Sequence, residues 1–344
     1  MKIKSLLLVI LIVIGLHSFG QDTLAMYREG KLWGFINLKG DTLIEAKFGI
    51  CEDFNSGLAK IGIDKFVRPN GEIFYVRNYV KRNLIDVREF SDGYLGVKVI
   101  NFWGYLNTEG ELIIPTKYIY TTDFIDGYAA VQTKEEFFII DKKGNEQKVM
   151  NNEKKKISYI KKFSEGLAPI ESKGDLWGFV NEKGEIVIGT MYLGVGYFKG
   201  GIAWARTVDN KIGFINKEGD WVIDPLYDTA SDYDVVSGLA KVHGKDGWVY
   251  VNMKGEEKKF ENSRDHQRFS DGMCRETKQM GNAKSGYLNN EGNWAIEPTY
   301  GIAEHFNNGY AAVRYKNNWG VIDKKGKWII EPKYGYIKGF YPVD

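Results

Sequence analysis

Hydrophobic residues alternate with small or polar ones in short runs along this chain, and one run returns many times. Residues 31–40, 175–184 and 317–326 read KLWGFINLKG, DLWGFVNEKG and NNWGVIDKKG. Alternation with a period of two is typical of a β-strand that buries one face. No segment beyond the N-terminus shows apolar residues at sustained helical spacing. The pattern therefore predicts an all-β protein.

The run recurs at a nearly fixed interval. An Asn/Asp-x-x-Gly turn closes the copies, with Arg68 in the place of Asn or Asp in the second, and its glycine marks the copy. The marker falls at Gly40, Gly71, Gly110, Gly144, Gly184, Gly219, Gly255, Gly292 and Gly326. A period of about 36 residues over nine copies is the signature of a tandem repeat.

Each copy is interpreted as three short strands. The first carries Trp-Gly-Phe-Ile-Asn, where Gly34 lacks a Cβ and lets a neighbour approach, and where Asn37 is expected to bind turn backbone. The second strand contains Ile-x-Pro-x-Tyr, whose proline is expected to end the pairing. A loop with a Phe-x-x-Gly marker, as at 54–57 and 90–93, leads to the third strand.

One such unit has too little core to stand alone, so neighbouring copies must cover each other's aromatic faces. We expect a tandem array of about nine three-stranded antiparallel units. An open β-superhelix, or solenoid, is favoured over a closed β-propeller-like ring, because propellers commonly have four to eight blades of four strands each. In the closed alternative, the N-terminal strand would complete the last unit.

These features resemble the WG-repeat family, bacterial proteins built from K-W-G-F-I-N-x-x-G-x-x-V-I-x-P-x-Y units. The resemblance covers residues 22–334 and is most specific in the copies at Trp33, Trp103, Trp177 and Trp319. Other copies depart from it, with Phe137, Ile212 and Ser285 in place of the tryptophan. The resemblance implies an all-β repeat domain that often occurs in exported proteins. It implies no reaction and supplies no catalytic residues.

Residues 1–20 have the order of a secretory signal peptide: basic Lys2 and Lys4, an apolar run over 6–16, then small residues. Cleavage would leave a WG-repeat β domain over 21–344 in the periplasm or on the cell surface of a bacterium, with no membrane span. A retained signal anchor is the alternative. Lys2 and Lys4 would leave with the signal, so 45 basic residues would balance 45 acidic ones. A neutral protein lacks the positive charge that nucleic acid binding requires.

The sequence shows no motif for catalysis, for a cofactor or for a metal ion. His243, His266 and His305 lie in different copies, and none has metal-ligand spacing. We therefore predict no catalytic, cofactor-binding or metal-binding residue and no cofactor. The chain is predicted to be a non-enzymatic binding or scaffold protein for a protein or polysaccharide of the cell envelope. An envelope hydrolase with a site on one face, and a purely structural envelope component, are the alternatives.

Three tryptophans are the candidate binding residues. Trp221, Trp294 and Trp328 stand two residues after the turn glycine in later copies, where early copies carry Thr42, Leu112 or Ile186. If exposed and aligned, the three rings would form an aromatic ladder for sugar rings or a partner protein. The alternative, which we favour, is that they pack between copies as core.

Overall fold

Each copy of the repeat folds into one small antiparallel sheet, a blade. The computed structural model describes residues 23–80, 83–150, 156–264, 266–278 and 283–342. These residues form nine blades. Eight of the blades contain four strands each, and blade 1 contains five, two of which come from the C-terminal part of the chain. The prediction of an all-β repeat of nine units is confirmed. The prediction of three strands per unit is wrong.

The first five blades contain most of the longer strands. Blade 1 comprises Thr23–Glu29, Leu32–Asn37 and Thr42–Phe48, with Tyr336–Ile337 and Tyr341–Pro342 from the other end of the chain; blade 2 comprises Phe54–Asn55, Leu58–Lys60, Lys65–Val67 and Ile73–Tyr75, and the short helix Val76–Tyr79 follows it; blade 3 comprises Leu84–Ser91, Tyr94–Val99, Phe102–Asn107 and Leu112–Tyr118; blade 4 comprises Tyr120–Thr121, Tyr128–Gln132, Phe137–Asp141 and Glu146–Lys148; blade 5 comprises Ile157–Ile160, Leu167–Ser172, Leu176–Asn181 and Ile186–Tyr192.

The remaining four blades follow the same order. Blade 6 comprises Gly194–Val195, Ala203–Arg206, Ile212–Ile215 and Trp221–Tyr227; blade 7 comprises Thr229–Ala230, Ala240–Gly244, Gly247–Val251 and Glu257–Lys258; blade 8 comprises Phe269–Ser270, Met273–Lys278, Lys284–Leu288 and Trp294–Tyr300; blade 9 comprises Ile302–Ala303, Tyr310–Tyr315, Asn318–Asp323 and Trp328–Tyr334. In this order, the strands of a blade are called its first, second, third and outer strand. In blade 1, Tyr336–Ile337 takes the place of the first strand.

The fourth strand lies where the sequence predicted a loop. In blade 3, Asp92 and Gly93 have φ of 52° and 82° and join the first strand to the second. Two successive positive φ values define a type I′ turn, whose twist matches that of paired strands and which favours Asp-Gly. The Phe-x-x-Gly marker is therefore a second hairpin. Its phenylalanine lies in the first strand of blades 2, 3 and 8, and it lies three residues after that strand in blades 4, 5, 6 and 9.

The Asn/Asp-x-x-Gly turn is a hairpin, as predicted. The side-chain oxygen of Asn37 accepts hydrogen bonds from the backbone N–H groups of Lys39 and Asp41, each at 2.9 Å. Gly40 closes the turn with φ of 82°. Asn107, Asp141, Asn181, Asn216, Asn252, Asn289 and Asp323 make the same pair of bonds.

The glycine of the Trp-Gly pair allows a close approach between the third and outer strands. A Cβ added to Gly320 would lie 2.5 Å from the carbonyl oxygen of Ile330 in the outer strand. The outer strand bulges at this point, since the pairing register shifts between Trp319 and Val321. The proline of the motif sits beside the bulge, and pairing resumes at Tyr334. The expectation that this proline ends the pairing is therefore wrong.

The array closes into a ring, a nine-bladed β-propeller. Thr23–Glu29 pairs with Leu32–Asn37 on one edge and with Tyr336–Ile337 and Tyr341–Pro342 on the other. The Tyr27 and Tyr334 rings meet at 5.2 Å between blades 9 and 1. The favoured open superhelix is wrong, and the closed alternative is confirmed. Closure leaves no terminal aromatic face to expose, which an open stack would have to cap.

Neighbouring blades are joined by a hydrogen bond that recurs around the ring. Each bond joins two Phe-x-x-Gly hairpins. The residue before the marker glycine of one blade accepts the bond, and the backbone N–H of the marker glycine in the next blade donates it. The pairs are Ser56 with Gly93, Asp92 with Gly127, Asp126 with Gly166, Glu165 with Gly201 and Asp271 with Gly309, at 2.6–3.4 Å. Asp234 takes this role for Gly272 at 3.0 Å. These turns therefore join blades 2 to 6 in series and blades 7 to 9 in series.

The predicted signal peptide, residues 1–20, lies outside the described residues. Among the residues that are described, no helix has both the length and the apolar character that crossing a membrane requires.

Candidate binding surface of the channel

Two residues in each blade depart from the repeat although their neighbours keep to it. They lie immediately before the phenylalanine of the Phe-x-x-Gly marker. In blade 7, Tyr233 replaces this phenylalanine, and in blade 1 the phenylalanine is Phe340. We call them the wall pairs. From blade 2 to blade 9 and then blade 1, they are Glu52/Asp53, Arg88/Glu89, Thr122/Asp123, Lys161/Lys162, Gly196/Tyr197, Ser231/Asp232, Gln267/Arg268, Glu304/His305 and Lys338/Gly339. No two of the nine pairs are the same.

A bulge in the first strand sets the wall pairs apart from the sheet. In blade 3, Val87 pairs with Val97 and Phe90 pairs with Leu95. Arg88 and Glu89 therefore face the single residue Gly96, which is the two-against-one arrangement of a β-bulge. Because bulged residues leave the regular ladder, their side chains are available for contacts outside the blade.

Four successive blades contribute to one recess of about 290 Å³. Its lining residues come from the first strand of a blade or from the bulge after it: Arg88, Tyr120, Thr122, Asp123, Tyr159, Lys161, Lys162 and Tyr197. Blades converge only toward the axis of a propeller, so the first strands face the central channel. The wall pairs therefore form the channel wall.

The basic side chains of the recess differ in their interaction partners. The Arg88 guanidinium donates to the carbonyl oxygen of Thr121 at 2.6 Å and pairs with Asp123 at 3.5 Å. The Lys161 ammonium lies 4.0 Å from the centre of the Trp177 ring, a cation–π contact. Burial lowers the pKa of Lys161, opposed by the charge of Glu171. Within the described part of the chain, no carboxylate lies within ion-pair distance of Lys161 or Lys162.

Carboxylates crowd the wall next to the recess, on blades 2 to 4. We call Glu52, Asp53, Glu89 and Asp123 the acidic arc. A hydrogen bond shared with Glu52, and burial after it, raise the pKa of Glu89 to about 7. Burial raises the pKa of Asp53, although Lys338 lies 3.5 Å away and opposes the shift. The channel wall thus has an acidic sector beside a basic one.

The three candidate tryptophans lie on the outside of the ring. They stand at the edge of the blade opposite to the channel wall. Each begins the outer strand of its blade and is half-buried. Trp221 packs edge-on against Tyr192 of the preceding blade at 5.8 Å, and Trp328 packs against Tyr300 in the same way at 5.8 Å. Trp294 packs on a cluster that includes Phe260 of the preceding blade. Blade 7, without a tryptophan at this position, separates Trp221 from Trp294.

In a comparison with protein families, the chain matches the family described as "WG containing repeat". The match covers residues 33–65, 103–136, 177–211, 212–243, 286–319 and 319–341, more than half of the chain. The chain belongs to the WG-containing repeat family. The resemblance carried by Trp33, Trp103, Trp177 and Trp319 is confirmed.

Solved structures resemble the fold at low sequence identity. A chain described as a eukaryotic initiation factor is 12% identical and has a TM-score of 0.56, with 94% of this chain and 99% of that chain covered. The computationally designed Ika8 protein (10% identical, TM-score 0.42, coverage 93% and 96%) and Citrobacter koseri AztD (11%, 0.39, 92% and 96%) score below the level of a shared fold. The likeness to the initiation factor concerns the fold alone. No curated protein matches the chain.

The histidines of the WG repeats stand in separate surroundings. The Nδ1 atom of His243 lies 3.6 Å from Asp228 on the surface. His305 belongs to a wall pair, and burial, together with Arg275 and Arg268, lowers its pKa to about 4. Among the described residues, no three side chains of the His, Cys, Asp and Glu types could hold a metal ion.

The channel wall was not predicted from the sequence. The predictions rest on the positions that WG repeats share, and the wall pairs are the positions they do not share. The signal was present beside the Phe-x-x-Gly marker, where Lys161 and Lys162 occupy the positions that hold Glu52 and Asp53 in another copy. Only the fold shows that these positions face one space.

Proposed function

We propose that this protein is an exported, non-enzymatic binding or scaffold protein that presents its channel wall to a protein or polysaccharide of the cell envelope. The nine different wall pairs on an otherwise repeated frame carry this proposal. Residues that recur in every blade serve contacts that every blade needs. Residues that differ between blades serve none of those contacts, and a binding surface needs such local differences.

The ring gives this surface a rigid support. The aromatic ring of Phe179 packs on Phe198 of the next blade at 4.7 Å, and Tyr105 packs on Phe124 at 4.8 Å. The marker phenylalanine thus anchors the backbone directly after each wall pair. Side chains held on a packed backbone lose little further freedom when a partner binds, which favours affinity.

Export is part of the proposal and rests on residues 1–20. We expect the mature protein to begin near residue 21 and to fractionate with the periplasm or the cell surface. Mass spectrometry of the native N-terminus tests this directly. An uncleaved N-terminus would support the retained anchor instead.

The binding role is tested by capture from envelope extracts with residues 21–344 as bait. The wall variant carries Tyr159→Ala and Lys162→Gln; the matched control carries Lys183→Gln on an exposed turn of the same blade. We expect wild type and control to retain a partner that the wall variant loses. Because Tyr159 also packs on Tyr120 and Trp177, the melting temperature of the wall variant should fall by a few degrees only. Capture of the same partner by all three proteins would contradict a role for the wall.

A further inference from the structure

Three tyrosine rings from successive blades meet in the recess. Tyr120, Tyr159 and Tyr197 belong to blades 4, 5 and 6. The Tyr120 and Tyr159 rings lie 5.3 Å apart with 54° between their planes, and Tyr159 is 40% exposed. Burial raises the pKa of Tyr120 and of Tyr197, so these hydroxyls stay protonated. The Tyr120 hydroxyl donates to the Ile160 carbonyl oxygen at 2.9 Å, so toward a ligand it can only accept. The recess therefore offers ring faces together with neutral hydroxyl groups.

The recess also offers positive charge to a ligand. Arg88 is engaged with the Thr121 carbonyl and with Asp123. Lys161 and Lys162 are adjacent in the chain, line the same recess and have no carboxylate within ion-pair distance in the described residues. Lys161 is held against the Trp177 ring, while Lys162 is exposed. Two ammonium groups without an anionic partner favour a ligand that brings its own carboxylate.

The lining combines aromatic rings with polar and charged groups. None of the eight lining residues is Leu, Ile, Val or Met. A sugar ring has C–H faces that pack on tyrosine rings and hydroxyls that bond to polar groups, and it needs no aliphatic pocket.

Carboxylates on both sides limit the negative charge of the ligand. Asp123 lies on one side of the recess, and Asp232 lies on the other, bound to the Trp204 indole N–H at 3.1 Å and to Lys199 at 3.2 Å. A long polyanion such as nucleic acid would meet these charges and those of the acidic arc. A single acidic sugar unit would place its carboxylate between the two lysines and avoid them.

We propose that the recess binds a carboxylate-bearing sugar unit of an acidic polysaccharide. The sugar ring lies against Tyr159, and its carboxylate accepts hydrogen bonds from Lys161 and Lys162. This inference rests on the proposed binding role of the channel wall and names the ligand class.

Titration calorimetry with trigalacturonate tests the inference. We expect binding by wild type and by Lys183→Gln. Lys162→Gln should weaken the binding about tenfold, the loss typical of a charge-assisted hydrogen bond. Tyr159→Ala should weaken it at least as much, and Tyr159→Phe should retain most of it. The melting temperature of each variant shows that folding is unchanged.

Two further probes decide between ligand classes. The methyl-esterified trisaccharide should bind at least tenfold more weakly than trigalacturonate, and equal binding would overturn the role of the lysines. A hexaglutamate peptide that binds while trigalacturonate does not would overturn the sugar assignment in favour of an acidic peptide.

The failure of this inference is separable from that of the proposed function. If trigalacturonate does not bind, but the wall variant loses an envelope partner that Lys183→Gln retains, only the ligand class is wrong. If the sugar does not bind and the wall variant captures the same material as wild type, both proposals fail.

Discussion

The junctions between blades and the channel wall use the same nine copies differently. Between blades 3 and 4, the Tyr105 hydroxyl donates to the Thr122 carbonyl at 2.6 Å; between blades 8 and 9, Tyr287 donates to Glu304 at 2.6 Å. Ser91 and Ser270 donate to the Phe124 and Phe306 carbonyls at 2.8 and 2.9 Å, and Asp92 and Asp271 accept from Gly127 and Gly309 at 2.7 and 2.6 Å. The junctions are nearly superimposable in their contacts.

The wall pairs of the same blades have little in common. Arg88/Glu89 stands in blade 3 and Gln267/Arg268 in blade 8, at equivalent positions beside a conserved marker phenylalanine. Both junction and wall belong to the first-strand hairpin, a few residues apart. The difference teaches that the contacts that hold the blades together and the side chains available for recognition are separated within each copy. Substitutions at junction positions should destabilise the fold, and substitutions at the wall should alter binding without destabilising it.

The largest effect on stability is expected where two strands of one blade lie too close together to leave room for a Cβ. Gly320→Ala would force a Cβ to within 2.5 Å of the Ile330 carbonyl oxygen, which is backbone and cannot turn away. We expect the free energy of unfolding to fall by about 3 kcal/mol in a denaturant titration. Gly49→Ala is the control, since its Cβ would meet nothing within 4 Å. Equal stability of the two variants would contradict the close approach.

A smaller loss is expected at the outer rim. Trp328→Ala removes a half-buried ring that packs on Tyr300 and Tyr315, and we expect a loss of about 2 kcal/mol of unfolding free energy. Trp328→Phe, which keeps an aromatic ring, should lose less. Should Trp328→Ala leave stability unchanged and abolish capture of an envelope partner, the aromatic-ladder hypothesis for Trp221, Trp294 and Trp328 would replace the packing one.

The acidic arc should make stability depend on pH. The pKa of Glu89 in the folded state is about 7, above the unfolded value of about 4.3. The folded state holds the proton more tightly, so the contribution of Glu89 to stability is full below pH 4.3 and is lost as pH rises through 7.

Glu89→Gln should flatten this part of the pH profile. Because Glu89 is mostly exposed, solvent screening reduces the difference to about 1 kcal/mol of unfolding free energy at pH 8, in favour of the variant. Thermal unfolding between pH 4 and 8 measures it, with Glu182→Gln as the control. Parallel profiles for Glu89→Gln and wild type would show that the Glu52–Glu89 contact does not form in solution.

The smallest effect on stability is expected in the recess. Lys162 is exposed and has no ion-pair partner within the described residues, so Lys162→Gln should change the unfolding free energy by less than about 0.5 kcal/mol. Chemical denaturation measures this. A loss above 1 kcal/mol would mean that the wall supports the ring after all.

The sequence predicted the turns and the close strand contacts, because these depend on residues near one another in the chain. The turn at Asn37 and Gly40 follows from a side-chain oxygen of Asn37 that accepts from the backbone N–H four residues later, and the close approach at Gly34 follows from a missing Cβ. The fourth strand was missed because it is very short in most blades, as at Tyr120–Thr121, although Asp-Gly at 126–127 was a hairpin signal.

Ring closure and the candidate site depend on contacts that no single copy contains. The rotation between neighbouring blades is set by packing such as Phe35 on Phe54, and it decides whether the ninth blade meets the first. The recess needs residues from four copies at one place, and no pattern within a copy indicates that convergence. The positions that the copies share predict the strands and turns of each blade, but they do not indicate where the candidate site lies.

Amide hydrogen exchange of residues 21–344, with and without a partner captured from envelope extracts, tests the separation of junction and wall most directly. We predict slowed exchange in peptides that cover 157–163 and 194–198 on the channel wall. Peptides that cover the outer strands Trp221–Tyr227, Trp294–Tyr300 and Trp328–Tyr334 should exchange as before. Protection of the outer strands with an unchanged channel wall would contradict the account.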